Sequence, residues 1–282
     1  GAPRPQKGRE TMGIKTKISW CDSTWNPVTG CFRECEYCYA RRIAQRFGGA
    51  SETHNNECCH ECQWETEADG TVHVLDEPLY DPDMSRNAPY PFEFDPTFHR
   101  YRLDEPARWT KPRTIFVCSM ADLFGEWVPD TWIQEVFDIC RKAPQHRYLF
   151  LTKNPKRFKE IRKNGIELPE KCWIGTSATV NADCTANYPS KLRHLSDNWD
   201  TITQWFVSIE PILERFSKSS IENIATMDWV IVGAETGNRK EKVVPEKVWI
   251  DEIVEQCKES GTPVFMKESL RELMGKDFKQ EY

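Results

Sequence analysis

The chain has 282 residues, of which 39% are apolar and 29% charged, and its formal net charge is −6. This length and composition fit a soluble globular protein with one large α/β domain or two small ones. The negative charge argues against broad, sequence-independent binding to nucleic acid, which needs a basic surface. No apolar run approaches the roughly 20 residues of a membrane span, so we expect no membrane partner.

The first residues, 1–16, are polar and basic and lack the apolar core of a secretory signal. We expect this stretch to be a flexible segment and residues 17–282 to form one domain. The chain contains 12 cysteines. Without a secretory signal, this number indicates a reducing, cytoplasmic environment and metal ligation in preference to disulfides.

The first motif in chain order is a cysteine triplet. Cys31, Cys35 and Cys38 stand in a CxxxCxxC spacing, and Tyr37 precedes the last of them. Three thiolates so spaced can hold three irons of a [4Fe–4S] cluster and leave the fourth iron open to a small molecule. This arrangement resembles that of the radical S-adenosylmethionine (AdoMet) enzymes, in which the residue at the position of Tyr37 lies near the adenine. Structural zinc, with Cys21 or a later cysteine as fourth ligand, and disulfides are the alternatives.

Residues 48–110 form an acidic, proline-rich stretch with weak strand and helix signals, which we interpret as an insertion after the first helix. A second group of ligand-type residues lies within it: His54, Cys58, Cys59 and Cys62. Zinc bound by three cysteines and one histidine would order a segment that has little core of its own. An auxiliary iron–sulfur cluster and free thiols are the alternatives that the sequence leaves open.

From about residue 114 onwards, short apolar runs alternate with amphipathic stretches. The runs predict strands at residues 114–118, 147–151, 172–175, 205–209, 229–232 and 263–266. The stretches predict helices at residues 129–142, 155–163, 189–196 and 246–260. Near-continuous apolar strands separated by helices indicate a parallel sheet covered on both faces. Because no glycine-rich phosphate fingerprint follows any strand, an α/β fold with a full or partial (β/α) TIM-type barrel is favoured over a doubly wound sheet.

Polar residues follow nearly every predicted strand. Because the carboxyl ends of barrel strands converge on one face, where active sites are built, these residues predict a shared pocket. They are Ser119, Asp122, Thr152, Lys153, Thr176, Ser177, Ser208, Glu210, Glu235, Thr236, Lys267 and Glu268. For any one of them, the alternative is a polar loop residue or a buried ion pair that supports the barrel.

Several uncommon strings resemble, in the same order, those of a phage-associated family whose members are usually described only as phage proteins. They are ISW at 18–20, STWNPVTGC at 23–31, CYA at 38–40, LDEP at 103–106, SMADLF at 119–124, APQH at 143–146, LTK at 151–153, FVS at 206–208, EP at 210–211 and DWVIVG at 228–233. The resemblance runs from about residue 17 to 268. It implies a radical-AdoMet-like barrel, similar in broad plan to spore photoproduct lyase, and brings no settled substrate.

The resemblance to radical AdoMet enzymes also implies roles for the polar strand ends. Ser119 and Asp122 are expected to receive the amino group of AdoMet, and Lys153 is expected to meet its carboxylate. Ser177 and Glu210 are candidates for the ribose hydroxyls or the substrate. All of these would be cofactor-binding residues, together with Tyr37.

The leading interpretation is an enzyme that cleaves AdoMet reductively and abstracts hydrogen from a substrate that the sequence does not identify. Glu235 and Lys267, late in the barrel, are its candidate catalytic residues. Phage association suggests a nucleotide or a nucleic-acid component as substrate, and a flavodoxin or ferredoxin would donate the electron. Two alternatives are a non-catalytic zinc protein that binds a partner or a nucleic acid, and an iron–sulfur aminocarboxypropyl transferase.

Overall fold

A computed structural model describes residues 16, 18–48, 64–66, 72–80, 87–186 and 204–282, with the backbone alone for 64–66, 185 and 186. Most of the predicted flexible segment 1–16 lies outside the described residues. The same is true of the second group of ligand-type residues: His54, Cys58, Cys59 and Cys62.

A sheet of seven parallel strands forms the body of the fold. Its strands, in their order across the sheet, are β1 (Ser23–Trp25), β6 (Thr114–Val117), β7 (Arg147–Thr152), β8 (Cys172–Ser177), β9 (Gln204–Ile209), β10 (Trp229–Val232) and β11 (Val264–Met266). Because all neighbours are parallel, the carboxyl ends of the strands lie along one edge of the sheet. The loops that follow the strands therefore meet there.

The sheet is curled around aromatic side chains near the amino-terminal ends of its strands. The ring of Trp20 lies 4.6 Å from that of Phe116 on β6 and 6.3 Å from that of Phe206 on β9. In a flat sheet these strands, three positions apart, would be separated by about 14 Å. The curl brings both strands to Trp20. Further members of this aromatic layer are Trp173, Trp229 and Phe265.

The strands that the structure describes form a half-barrel, with β1 and β11 as its two edges. The partial form of the predicted barrel is therefore confirmed. The chain end partly spans the opening, where the Tyr282 hydroxyl donates to the Ser19 carbonyl at 3.1 Å.

The described part of the chain contains seven α-helices. They are α1 (Tyr39–Phe47), α2 (Asp130–Lys142), α3 (Lys156–Lys163), α4 (Asn181–Ala186), α5 (Lys218–Ile224), α6 (Lys247–Ser260) and α7 (Arg271–Met274). In α2, the buried residues Trp132, Ile133, Val136 and Phe137 recur with the helical period, so one stripe of the helix packs against the sheet. In α5, Ser217 caps the first turn by accepting a hydrogen bond from the Ser220 N–H.

A smaller sheet of four strands lies beside the half-barrel. Its order is β2 (Val28–Thr29), β5 (Thr97–His99), β4 (His73–Leu75) and β3 (Trp64–Thr66). Three of these strands belong to the predicted insertion, where the sequence shows weak strand signals because each strand is only three residues long. Within the small sheet, a buried hydrogen bond of 2.8 Å between Thr29 Oγ1 and His99 Nε2 joins the side chains of β2 and β5.

The elements after residue 114 confirm the predicted alternation. Strands and helices begin and end within two residues of their expected positions wherever the structure describes them. The helix expected at residues 189–196 lies outside the described residues, and α4, α5 and α7 were not predicted. Among the described helices, none is long and apolar enough to cross a membrane.

Candidate metal centre and cofactor cleft

Residues 31–38, here called the cluster loop, cross the carboxyl ends of the half-barrel strands. The loop starts at Gly30, which has a φ of +86° and donates its N–H to the Met120 carbonyl at 2.9 Å. A Cβ at this position would lie 2.1 Å from the Asp95 carbonyl oxygen. Only glycine fits both the left-handed backbone and this close approach, so Gly30 sets the path of the loop from β2 to Cys31.

All three cysteines of the triplet are half-buried free thiols in this loop. Cys31 Sγ accepts a hydrogen bond from the Arg33 N–H at 3.4 Å, and Cys38 Sγ accepts one from the Arg41 N–H at 3.3 Å. Cys38 is the N-cap of α1. Burial raises the pKa of Cys31 to about 12, so ligation has to displace a proton there.

A single zinc ion and a [4Fe–4S] cluster place different demands on the three thiols. Thiolates on one tetrahedral zinc lie about 3.8 Å apart, whereas a cluster takes its three cysteine ligands on three different irons. Among the described residues, no three histidine, cysteine or carboxylate side chains gather around a point that one metal ion would occupy. The described part of the chain therefore gives no support to zinc at the triplet, and every cysteine in it is a free thiol.

Arg41 holds the two ends of the cluster loop together. Its Nη2 donates to the carbonyl of Cys31 at 3.2 Å and to that of Arg33 at 2.9 Å, and its guanidinium lies 4.9 Å from the Phe94 ring. On a helix, a long side chain covers the preceding turn. An arginine three positions after Cys38 is therefore a signal for this contact that the sequence analysis missed.

Asp122 organises the strand ends beside the loop. Its Oδ1 accepts from Thr152 Oγ1 at 2.6 Å and from the Phe124 N–H at 3.2 Å, and its Oδ2 accepts from the Lys153 N–H at 3.0 Å. Arg33 Nε lies 3.6 Å from the same carboxylate. Asp122 thus ties the loop to β6 and β7, and its oxygens are engaged by the protein itself.

Ser119 is held in the turn after β6. Its Oγ donates to Asn26 Oδ1 at 3.1 Å, and its carbonyl accepts from the Tyr39 hydroxyl at 2.6 Å. The Met120 N–H donates to the same Asn26 oxygen at 3.1 Å. Asn26, which directly follows β1, therefore fixes the Ser119 turn against the start of the cluster loop.

Tyr37 and Lys153 meet across a cleft of about 310 Å³ next to the cluster loop. Lys153 Nζ donates to the Tyr37 hydroxyl at 3.1 Å and lies 5.3 Å from its ring. Burial lowers the pKa of Lys153, but Tyr37, Cys35 and Asp183 outweigh this effect, and the net pKa is raised. The cleft is lined by Arg33, Tyr37, Lys153, Asn154, Lys156, Ser177, Thr179 and Asp183. Three of these side chains are cationic, namely Arg33, Lys153 and Lys156, against the one carboxylate of Asp183, which accepts from the N–H groups of Thr179 and Val180.

Glu210 and Lys267 form an ion pair at the ends of β9 and β11, with Lys267 Nζ 2.8 Å from Glu210 Oε1. Gly233, at the end of β10, lies between them. A Cβ on Gly233 would be 2.9 Å from Lys267 Cγ and 3.5 Å from Glu210 Cγ. The pair therefore spans the middle strand because that position carries no side chain. Two residues before Glu210 on β9, the buried Ser208 hydroxyl has no hydrogen-bond partner among the described residues.

Glu235 sits apart from that pair. Its side chain is 1% exposed, and Arg239 Nε and Nη2 donate to its two oxygens at 2.7 and 2.8 Å. These hydrogen bonds lower the pKa of Glu235 against the opposing effect of burial. Arg239 in turn donates through Nη1 to Glu36 of the cluster loop at 2.9 Å. Because Arg239 and Glu36 lie far apart in the sequence, no sequence pattern predicted this contact.

The structure therefore brings the predicted residues to one edge in three groups. Tyr37, Lys153 and Ser177 line the cleft, and Asp122 contacts two of its lining residues, Arg33 and Lys153. Ser119 lies in the turn after β6, outside the cleft lining. Glu210 and Lys267 form a separate pair, and Glu235 belongs to a salt-bridge chain with Arg239 and Glu36.

A family model described as "Protein of unknown function (DUF5131)" matches residues 15–273. The chain belongs to this family. Among the curated proteins, none matches the chain.

Solved structures of spore photoproduct lyase, a radical AdoMet enzyme, resemble the chain. A variant with dinucleoside spore photoproduct has a TM-score of 0.51 at 11% identity, over 92% of this chain and 80% of that one. A complex with the same dinucleoside gives 0.47 at 10% identity, over 92% and 81%. A variant with bound AdoMet gives 0.42 at 10% identity, over 88% and 64%. The first of these likenesses shows that the two proteins share an overall fold.

Proposed function

We propose that this protein is a radical AdoMet enzyme in which Cys31, Cys35 and Cys38 hold a [4Fe–4S] cluster. The observation that carries the proposal is the position of the three thiols. They lie on one loop across the carboxyl end of a parallel half-barrel, beside a cationic cleft. The shared fold with spore photoproduct lyase supports the same class of chemistry.

When bound, the cluster would supply the electron that cleaves AdoMet to methionine and a 5′-deoxyadenosyl radical, which abstracts hydrogen from the substrate. The protein's own residues bind, orient and exclude water. In our proposal, Lys153 binds the AdoMet carboxylate as a fixed cation, and Tyr37 orients Lys153 and lies beside the adenine. Asp122, whose oxygens are engaged by Thr152 and Lys153, holds the Lys153 backbone in place.

In our proposal, the AdoMet amino group binds an acceptor in the turn after β6, the Ser119 hydroxyl, which is held by Asn26. Ser177, 7% exposed at the end of β8, contacts the ribose hydroxyls. The assignment of Ser177 rests on its place in the lining of the cleft, which it shares with Tyr37 and Lys153.

The Glu210–Lys267 pair forms the substrate side of the site. It offers a hydrogen-bond donor and an acceptor 2.8 Å apart at the end of the half-barrel. We propose a nucleotide or a nucleic-acid component as substrate, in line with the dinucleoside that spore photoproduct lyase binds. The net charge of −6 favours a small nucleotide over a long duplex. A flavodoxin or ferredoxin in a reducing cytoplasm would supply the electron.

The proposal is tested by product analysis with anaerobically reconstituted, dithionite-reduced protein and AdoMet. 5′-Deoxyadenosine and methionine are the expected products, even without substrate. Methylthioadenosine would instead identify an aminocarboxypropyl transferase. Intact AdoMet after reconstitution with iron and sulfide would contradict both forms of the proposal.

The cleft is tested by Lys153→Met, for which we expect the Kd of AdoMet to rise about tenfold, as for the loss of one charge-assisted hydrogen bond. Lys159→Met is the matched control: Lys159 is exposed on α3, and its substitution removes the same charge. Equal Kd values for the two variants would show that AdoMet does not bind in this cleft.

A further inference from the structure

A salt-bridge chain connects the loop after β10 to the cluster loop. Residues 234–246, here called the β10 loop, contain both Glu235 and Arg239. Arg239 Nε and Nη2 grip the Glu235 carboxylate at 2.7 and 2.8 Å, and Nη1 reaches Glu36 Oε2 at 2.9 Å. Glu36 stands between Cys35 and Cys38, so the chain ends in the middle of the candidate cluster ligands.

Glu235 fixes the direction of the guanidinium. Its carboxylate is 1% exposed and also accepts from the Val243 N–H at 3.4 Å. A bidentate arginine–carboxylate pair is planar and directional. With two of its edges committed to a buried partner, Arg239 presents Nη1 to Glu36 in one orientation.

A second contact runs parallel to this chain. Arg42 Nη2 on α1 donates to the Thr236 carbonyl of the β10 loop at 3.4 Å. The β10 loop therefore meets both the cluster loop and the helix that follows it. On its other side, the cluster loop is tied by Tyr37 to Lys153 and by Arg33 to Asp122.

We infer that Arg239, oriented by Glu235, is a positioning residue that holds the Cys35–Cys38 part of the cluster loop; this inference rests on the proposed function. Glu36 is 77% exposed, so its bridge contributes little to the stability of the whole protein. Its effect is local: it restricts where the segment between two ligands lies. Glu235, predicted as a catalytic residue, acts in this inference through Arg239 and not on substrate.

The first test measures how fast Cys35 and Cys38 are alkylated in the cluster-free full-length protein, by peptide mass spectrometry. Glu36→Gln removes the bridge and leaves the Arg239–Glu235 pair intact. We expect alkylation of both cysteines to become about threefold faster, the effect of losing one exposed ion pair. Glu34→Gln is the matched control, since Glu34 is exposed in the same loop and loses the same charge. It is expected to react at the wild-type rate.

Arg239→Ala leaves the buried Glu235 without its partner, and we expect alkylation to become about tenfold faster. Arg239→Lys keeps the positive charge but loses the bidentate guanidinium geometry. Its alkylation rate should therefore lie between those of wild type and Arg239→Ala. The double variant Glu36→Gln/Arg239→Ala should match Arg239→Ala alone, because both changes break one chain. Buried Cys140 serves as the internal reference, and its rate should stay constant if the fold is intact.

In the cluster-loaded protein, the same variants should release iron to a chelator faster, in the same order. Equal rates for Glu36→Gln and Glu34→Gln, or additive effects in the double variant, would overturn the inference. If wild-type protein takes up no cluster, the proposed function fails, whereas the alkylation rates still decide whether Arg239 holds the loop.

Discussion

The two ends of the half-barrel are built from the same strands but from opposite kinds of side chain. Toward the amino-terminal ends, the concave face is closed by Trp20, Phe116, Phe206 and Trp229, whose rings lie between 4.6 and 6.3 Å apart in their contacts. At the carboxyl ends, the same strands finish in charged and hydroxyl groups held by hydrogen bonds and ion pairs.

This difference shows how one sheet divides stability from chemistry. A strand alternates its side chains between two faces, so one strand can contribute an aromatic residue to the concave face early and a polar residue to the same face later, as β8, β9 and β11 do. On β9, Phe206 is followed at the same face by Ser208 and Glu210. Changes at the aromatic end should therefore cost the most stability, and changes at the polar end should mainly alter binding.

The largest effect is expected at the polar end, from Cys31→Ala. Removing one of three ligands should reduce iron from about four per chain to near zero after reconstitution. Cys21→Ala is the control at the other end, because Cys21 packs beside the aromatic layer. The Cys21→Ala variant should retain its iron. Loss of iron from this variant would show that Cys21 is a ligand and that the two ends are not separate in function.

At the aromatic end, Trp229→Ala should lower the free energy of unfolding by about 3–5 kcal/mol, measured by urea denaturation. Trp229 is 2% exposed, its ring contacts those of Trp20, Trp173 and Phe265, and its Nε1 donates to the Glu281 carbonyl at 2.9 Å. Val244→Ala, at a residue 73% exposed, should change stability by less than about 0.5 kcal/mol. Comparable losses in both variants would show that the aromatic layer does not support the fold.

Gly233→Ala sharpens the comparison at the polar end. The added methyl group would press on Lys267 and separate it from Glu210, at a cost of about 1–3 kcal/mol. Shortening the neighbour with Lys267→Ala should relieve the strain, so the double variant should lose less stability than the two single variants combined. Strict additivity would show that Gly233 acts through something other than this pair.

The smallest effect concerns the pH dependence of stability at His99. Burial, with a smaller contribution from Arg102, lowers the pKa of His99 well below its usual value of 6.5. The unfolded chain therefore binds this proton first, and stability is lost as the pH falls below 6.5, by up to about 1.4 kcal/mol per pH unit. His99→Gln should reduce the slope of unfolding free energy against pH by up to the contribution of one proton. The slope is measured by urea denaturation between pH 7 and pH 5. Parallel slopes for the two proteins would contradict a neutral, buried His99.

Long apolar runs made the strands from β6 to β11 predictable, because a strand buried on both faces leaves a continuous signal in the sequence. The cysteine triplet was equally visible, since its ligands are local. The short strands β1 to β5 were not predicted, because two or three residues carry too little pattern to distinguish a strand from a loop.

Contacts between residues far apart in the sequence could not be predicted, for a different reason. Polar strand ends indicated that Lys153, Glu210 and Lys267 share one edge, but not which of them pair. The bond from Arg239 to Glu36 joins residues separated by 203 positions, and no local pattern announces it. The catalytic role predicted for Glu235 stays a prediction, and the positioning role that we infer for it depends on its contact with Arg239, which the sequence does not reveal.

The central claim is that Cys31, Cys35 and Cys38 hold a cluster with one open iron. Its most direct test is iron and sulfide quantification of anaerobically purified protein, with EPR spectra of the reduced state before and after addition of AdoMet. The account predicts about four irons per chain and a spectrum that shifts with AdoMet. Zinc without iron after attempted reconstitution, or a cluster spectrum that AdoMet leaves unchanged, would contradict it.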